Sequence, residues 1–176
     1  MYDIRYIHTF CTDGNHNRRY NRLLIIMAYP SSLDGDDNTV KFLKNNRRIR
    51  EILDLSSYRN IDLMNLSPIV DNPFRNTHGL TLERTTYYQE QNYNYIRDAI
   101  ENHNYDKILY ATGQDFIRND RVYRQLYKES YLNLKNLLSN YRNIVYCCCI
   151  LSRGGYPICI CKRNINRIHQ LQPFYN

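Results

Sequence analysis

Apolar residues gather into four short runs, at 22–28, 60–66, 106–112 and 143–151, each rich in Ile, Leu, Val or Tyr and followed by turn residues. Their near-continuous apolarity predicts strands buried on both faces, as in a parallel sheet covered by helices. The segments between them change to helical spacing. Over 120–140, Val122, Leu126, Tyr127, Leu134, Leu137 and Leu138 recur at three- and four-residue steps, and Asn119 or Asp120 can cap the start. Over 39–53, Val40, Leu43, Ile49, Ile52 and Leu53 turn inward, while Lys41, Lys44, Arg47, Arg48 and Arg50 occupy the rest of the surface. A third helix is predicted over about 87–103, with Ile96, Ala99 and Ile100 inward.

Strand, helix, strand, helix, strand, helix, strand is the order that builds a parallel sheet by crossover connections. The expected fold is α/β, a three-layer sandwich around a central, mainly parallel four-stranded sheet, formed as one domain over 1–176. At 176 residues and 43% hydrophobic composition the chain suffices for one core and not for two.

No run of about 18 apolar residues occurs, and Asp3, Arg5 and His8 interrupt the amino-terminal stretch, so neither a signal peptide nor a membrane span is expected. The expected location is cytoplasmic. Cys147, Cys148 and Cys149 are consecutive in a predicted strand, where neighbours point to opposite faces, and they are read as reduced. The cysteines lack the paired C-x-x-C spacing of a zinc site. No cofactor is expected. A formal charge of +7 favours polyanionic partners. The 18 tyrosines, with abundant Asn and Ile, follow the codon bias of an AT-rich genome and are weak evidence for base stacking.

Ligands of such sheets collect outside the carboxyl ends of the strands, which directs attention to four loops. The first carries Tyr29-Pro30-Ser31-Ser32, then Asp34, Asp36 and Asp37. Turn and cap chemistry accounts for these residues, and the three acids could also hold magnesium or position a water. The second strand ends in Asn65, whose amide offers the donor and acceptor that reading a pyrimidine edge requires, or else ties down the loop behind it. That loop carries Phe74, Arg75 and His78, suited to an opened nucleic-acid strand. The third gives Gly113-Gln114, and the fourth Ser152-Arg153-Gly154-Gly155-Tyr156-Pro157, where backbone N–H groups and Arg153 could meet a phosphate, or the glycines could simply make a hairpin turn. The phosphate-loop, dinucleotide and nucleophile-elbow motifs are absent.

The runs LIIMAYPSSLDGDDNTVKFL, IDLMNLSP, ILYATGQ and ILSRGGYP resemble an uncharacterised family of bacteria, phages and mobile elements. Its usual form reads about I-M-L-N-P-S-[ST]-A, D-D-x-T, V-V-N-L, W-G and T-x-x-G-x-P-x-H-P. That pattern in turn resembles the uracil-DNA glycosylase superfamily, in which a proline turn follows strand one, a uracil-reading Asn ends strand two, and a strand-clamping motif follows strand four.

The resemblance implies a DNA-repair glycosylase that flips a uracil and hydrolyses its N-glycosidic bond. It implies Tyr29, Ser31, Asp36 and Asp37 as catalytic groups, and Ala28, Pro30, Phe42 and Asn65 as base-binding. It places Ser32, Arg75, His78, Gly113, Gln114, Ser152, Arg153, Gly154 and Tyr156 against DNA, with no metal. The implied partners are DNA, single-stranded or with a flipped base, and a DNA-mimicking protein inhibitor. The chain departs from the pattern in three places. Tyr29 stands where Asn or Asp is usual, Thr112 replaces the indole, and the final His-Pro is missing, Pro157 being followed by Ile158 and Cys159. A phenol with a pKa near 10 is a poor base at neutral pH. Two alternatives therefore stand beside the enzyme: an inactive nucleic-acid or protein-binding module on the same fold, and a magnesium-dependent nucleotide hydrolase using Asp34, Asp36 and Asp37.

Overall fold

The computed structural model describes residues 4, 6–11, 19–30, 38–70, 79–114, 121–149 and 154–175. Among them six strands form one mixed sheet: β1 (Ile7–Phe10), β2 (Tyr20–Met27), β3 (Tyr58–Asn65), β4 (Lys107–Tyr110), β5 (Val145–Cys147) and β6 (Gln172–Pro173). Four helices accompany it: α1 (Asn38–Asn45), α2 (Arg47–Leu53), α3 (Leu82–Asn102) and α4 (Arg121–Ser139).

Spatial order is β1-β3-β2-β4-β5-β6. The four strands expected from the apolar runs are mutually parallel and adjacent. The sheet is nevertheless not four-stranded: β1 pairs antiparallel with β3 at one edge, and β6 antiparallel with β5 at the other. Neither edge strand carries an apolar run, because each is defined by a distant partner. The fourth run also contracts, with only 145–147 forming strand.

Residues Leu23–Met27 and Ile61–Asn65 are buried without interruption, and alternate side chains enter two separate cores. Leu24, Ile26, Met64, Ile108 and Tyr110 pack against α3 and α4. Leu23, Ile25, Ile61, Leu63 and Leu109 pack against α1 and α2. Cys147 falls in the first core and Cys148, just past β5, in the second, and no disulfide joins any of the six cysteines. Each buried aliphatic side chain contributes about 1.5–3 kcal/mol, which makes this two-sided burial the main source of the sheet's stability.

The helices follow the sequence pattern with three corrections. The 39–53 segment is two helices, broken at Asn46, whose side chain accepts from Ile49 N and caps α2. Helix α3 starts at Leu82 behind a Thr81 cap, earlier than expected, and buries Ile96, Ala99 and Ile100. Helix α4 buries Tyr127, Tyr131, Leu134 and Leu138, a 4-3-4 stripe. Val122 lies five residues before Tyr127, well off that stripe, and is 53% exposed rather than inward. The residues expected to cap α4 lie outside those described. No helix among the described residues is long and apolar enough to cross a membrane.

One buried carboxylate ties the β1 edge to the sheet. Asp62 accepts from Thr9 Oγ1 on β1 and from Tyr105 Oη ahead of β4, each at 2.7 Å, with Arg22 Nε at 3.5 Å. Asp62→Ala strands these donors and is expected to lower the unfolding free energy by about 1–3 kcal/mol. A reduced urea midpoint at unchanged slope reads this loss, and an unchanged midpoint contradicts the network's role.

Candidate functional site

Backbone polar groups past the ends of the parallel strands still need partners, and they find one another. Leu66 N donates to Met27 O at 2.8 Å and Ser67 N to Ala28 O at 3.0 Å, binding the end of β3 to the end of β2. Ala111 N donates to Ile26 O, bringing in β4. Gly113 N donates to Pro157 O, and Ile158 N to Cys149 O, attaching the fourth loop. The proline turn after β2 and the Gly-Gly turn after β5 therefore stand at the same end of the sheet.

Asn65 sits in this cluster, level with Met27. It alternates with Ile61 and Leu63, so its side chain lies on the α1–α2 side of the sheet. Asn65 is 3% exposed. An amide costs more to bury than an aliphatic side chain, so a polar residue at the end of this apolar strand is poorly explained by packing alone. Its backbone is held from the opposite side: Asn92 Nδ2 on α3 donates to Asn65 O at 2.8 Å and to Leu66 O at 3.2 Å. Asn92 was not among the residues expected at the site. Stepping back four residues from Ile96 along α3's inward face finds it. One turn earlier, Gln89 has both amide atoms buried without a partner.

The other flank rests on tyrosines. Tyr110 stacks on Tyr131, which meets Tyr156 edge-on at 4.8 Å, and Tyr131 Oη donates to Gly155 O at 3.4 Å. Burial raises the phenols of Tyr110, Tyr127 and Tyr131 above their ordinary range, so they act as neutral groups. Tyr110 Oη donates to Tyr131 O at 3.4 Å, tying β4 to α4, and Thr112 Oγ1 donates to Gly113 O at 3.5 Å. Tyr29 is half-buried against the α3–α4 core, while Ala28 and Pro30 are buried beside it.

Two glycines answer geometric demands. Gly113 has φ +68°, and a Cβ there would stand 3.0 Å from Cys159 Cβ. Gly154 has φ +89°, and the Tyr156 ring fills the space a Cβ would take.

The structure thus brings Ala28, Tyr29, Pro30, Asn65, Gly113, Gln114, Gly154 and Tyr156 to one end of the sheet. Phe42 lines a different hollow, with Asn45, Asn46 and Ile165. Ser31, Ser32, Asp34, Asp36, Asp37, Arg75, His78, Ser152 and Arg153 lie outside the described residues. Among the described residues no cluster of His, Cys, Asp or Glu could hold a metal ion.

Cys148 does not offer a nucleophile. Burial, reinforced by Cys147 and Cys149, pushes its thiol up to about 12.

Residues 10–158 match the family model described as "Protein of unknown function (DUF1643)". No curated protein and no solved structure matches the chain.

Two measurements check this geometry. Gly113→Ala combines a left-handed backbone with a close contact and should lower stability by about 1–2 kcal/mol, visible as a lower denaturation midpoint. The raised Cys148 thiol stays neutral when folded, whereas the unfolded thiol ionises from about pH 8.5. Its contribution is therefore complete below about pH 8.5 and is lost as the pH climbs towards about 12. The fall in urea midpoint between about pH 8 and about pH 10.5 should be smaller in Cys148→Ala than in the parent. Equal falls would contradict the assignment.

Proposed function

The chain belongs to the DUF1643 family, and from that premise we propose that it is a nucleobase-flipping N-glycosidic hydrolase acting on uracil in DNA, with a three-layer fold of uracil-DNA glycosylase type. The observation that carries the reading is an amide side chain, Asn65, 3% exposed at the point where the backbone bonds past β2, β3 and β4 gather. A pyrimidine edge offers an acceptor and a donor that match such an amide. The arrangement of parts agrees with this: a proline turn follows β2, the amide ends β3, and the Gly-Gly turn after β5 stands at the same end. The net charge of +7 favours a polyanionic substrate.

In this reading a base leaves the strand and enters beside Asn65, which holds its edge. Gly113 and the Gly154–Tyr156 turn provide backbone at close range to the strand. Hydrolysis then requires a water at the sugar's anomeric carbon, placed by the loop after Pro30, where Ser31, Asp36 and Asp37 are the candidates. Charge develops on the departing base and is best met by fixed dipoles in a dry site.

A second reading, binding of an unpaired base without hydrolysis, draws on Tyr29. This residue stands at the water-activating position of the resembling family and packs against the α3–α4 core.

Incubation of the purified chain with labelled oligonucleotides carrying each base or uracil, followed by alkali, separates the two. Cleavage at uracil supports hydrolysis, and Asn65→Ala should then lower it at least about tenfold, the equivalent of about 1.4 kcal/mol of transition-state binding. An Asn65→Ala chain as active as the parent contradicts the site. Binding of the strands with no abasic product on any base favours the second reading.

A further inference from the structure

The cations of this chain are unevenly placed. Helices α1, α2 and the 3-10 helix Lys162–Arg167, all on one side of the sheet, carry eight Lys or Arg against one acid, Glu51. Helices α3 and α4, on the other side, carry six against five. Among the helices the cationic excess therefore falls on α1 and α2, where Glu51 is already paired with Arg47 at 2.7 Å.

A hollow of about 310 Å³ opens in this layer at the elbow between α1 and α2, lined by Phe42, Asn45, Asn46 and Ile165. Its volume is at the lower end of small-molecule sites. Phe42 offers a half-buried ring. Asn46 uses its carbonyl oxygen to cap α2, leaving its NH₂ to donate, and the exposed Asn45 amide has no hydrogen bond among the described residues. Lys41 stands one turn before Asn45 on the same helix. Arg48, two residues after Asn46, donates through Nη2 to Ile168 O, three residues beyond Ile165, and lies 3.2 Å from His169 Nδ1.

An aromatic face, amides with unused donors and acceptors, and flanking cations without a lining carboxylate are the requirements of an unpaired nucleotide. We propose that the α1–α2 elbow is a single-stranded nucleic-acid site, taking one base against Phe42 and Asn45 and the adjoining phosphates along Lys41 and Arg48. The site is separate from the Asn65 cluster and does not depend on whether that cluster hydrolyses anything. An anionic membrane fits the surface less well, because the exposed large apolar residues lie on α3, α4 and β1.

The test is fluorescence anisotropy of the full chain with a labelled twelve-nucleotide oligothymidylate over a salt series. Phe42→Leu, which keeps apolar packing, should weaken binding about five- to a hundredfold. Asn45→Asp, at an exposed position where folding is not at stake, should also weaken it. Lys41→Gln should reduce the log–log salt slope by about 0.7. Parental affinity in both hollow variants overturns the proposal, as does a parent that ignores the oligonucleotide while binding vesicles of anionic phospholipid. Hollow-dependent binding by a chain that releases no base supports this site and removes the glycosylase reading. Base release with hollow-independent binding does the reverse.

Discussion

The parallel strands of this protein end in backbone groups that must be hydrogen-bonded, and the way they meet that demand shapes everything at that end of the molecule. Met27 O, Ala28 O and Ile26 O each accept from a neighbouring strand's extension, and Pro157 O accepts from Gly113 N. An unpaired buried amide or carbonyl costs about 1–3 kcal/mol, so these bonds fix the relative positions of the loops. Asn65 is carried into place by this lacing and by Asn92 behind it. Backbone hydrogen bonds thus locate the residue that carries the central amide.

The two faces of the sheet then divide the work. The α3–α4 side is a packing layer, in which stacked tyrosines support the Gly-Gly turn and Asn92 holds the end of β3. The α1–α2 side is electrostatic, with short helices whose apolar residues anchor them and whose remaining surface is cationic. Asn65 lies on this second side. The amide at the end of β3 and the cationic helices α1 and α2 thus share one face of the sheet.

What could be read from the sequence follows from the range of the forces involved. The four parallel strands and the inward face of α3 were legible because continuous burial leaves a local mark, as at Leu23–Met27 and Ile96. The position of Asn65 at a buried strand end was legible because the apolar run continues up to it. Edge strands β1 and β6 were not, since their identity lies in pairing with Met64 and Tyr146, far away in the chain. The break at Asn46 was hidden inside a pattern that suits one helix, because a cap is a local hydrogen bond that periodicity does not register. Val122 misled because an apolar residue in a first turn fits the helical spacing without belonging to the buried stripe. Phe42, expected beside the base-reading amide, lines its own hollow, since chain distance from Pro30 carries no information about direction.

The account rests on Asn65 presenting its amide to a pyrimidine, and the side-chain NH₂ resonances of the ¹⁵N-labelled chain report on that directly. Titration with millimolar uracil should move the Asn65 pair and leave that of Gln89, buried on α3, in place. A titration in which the Asn65 pair stays fixed while other amides shift would contradict the assignment of this residue as the base reader.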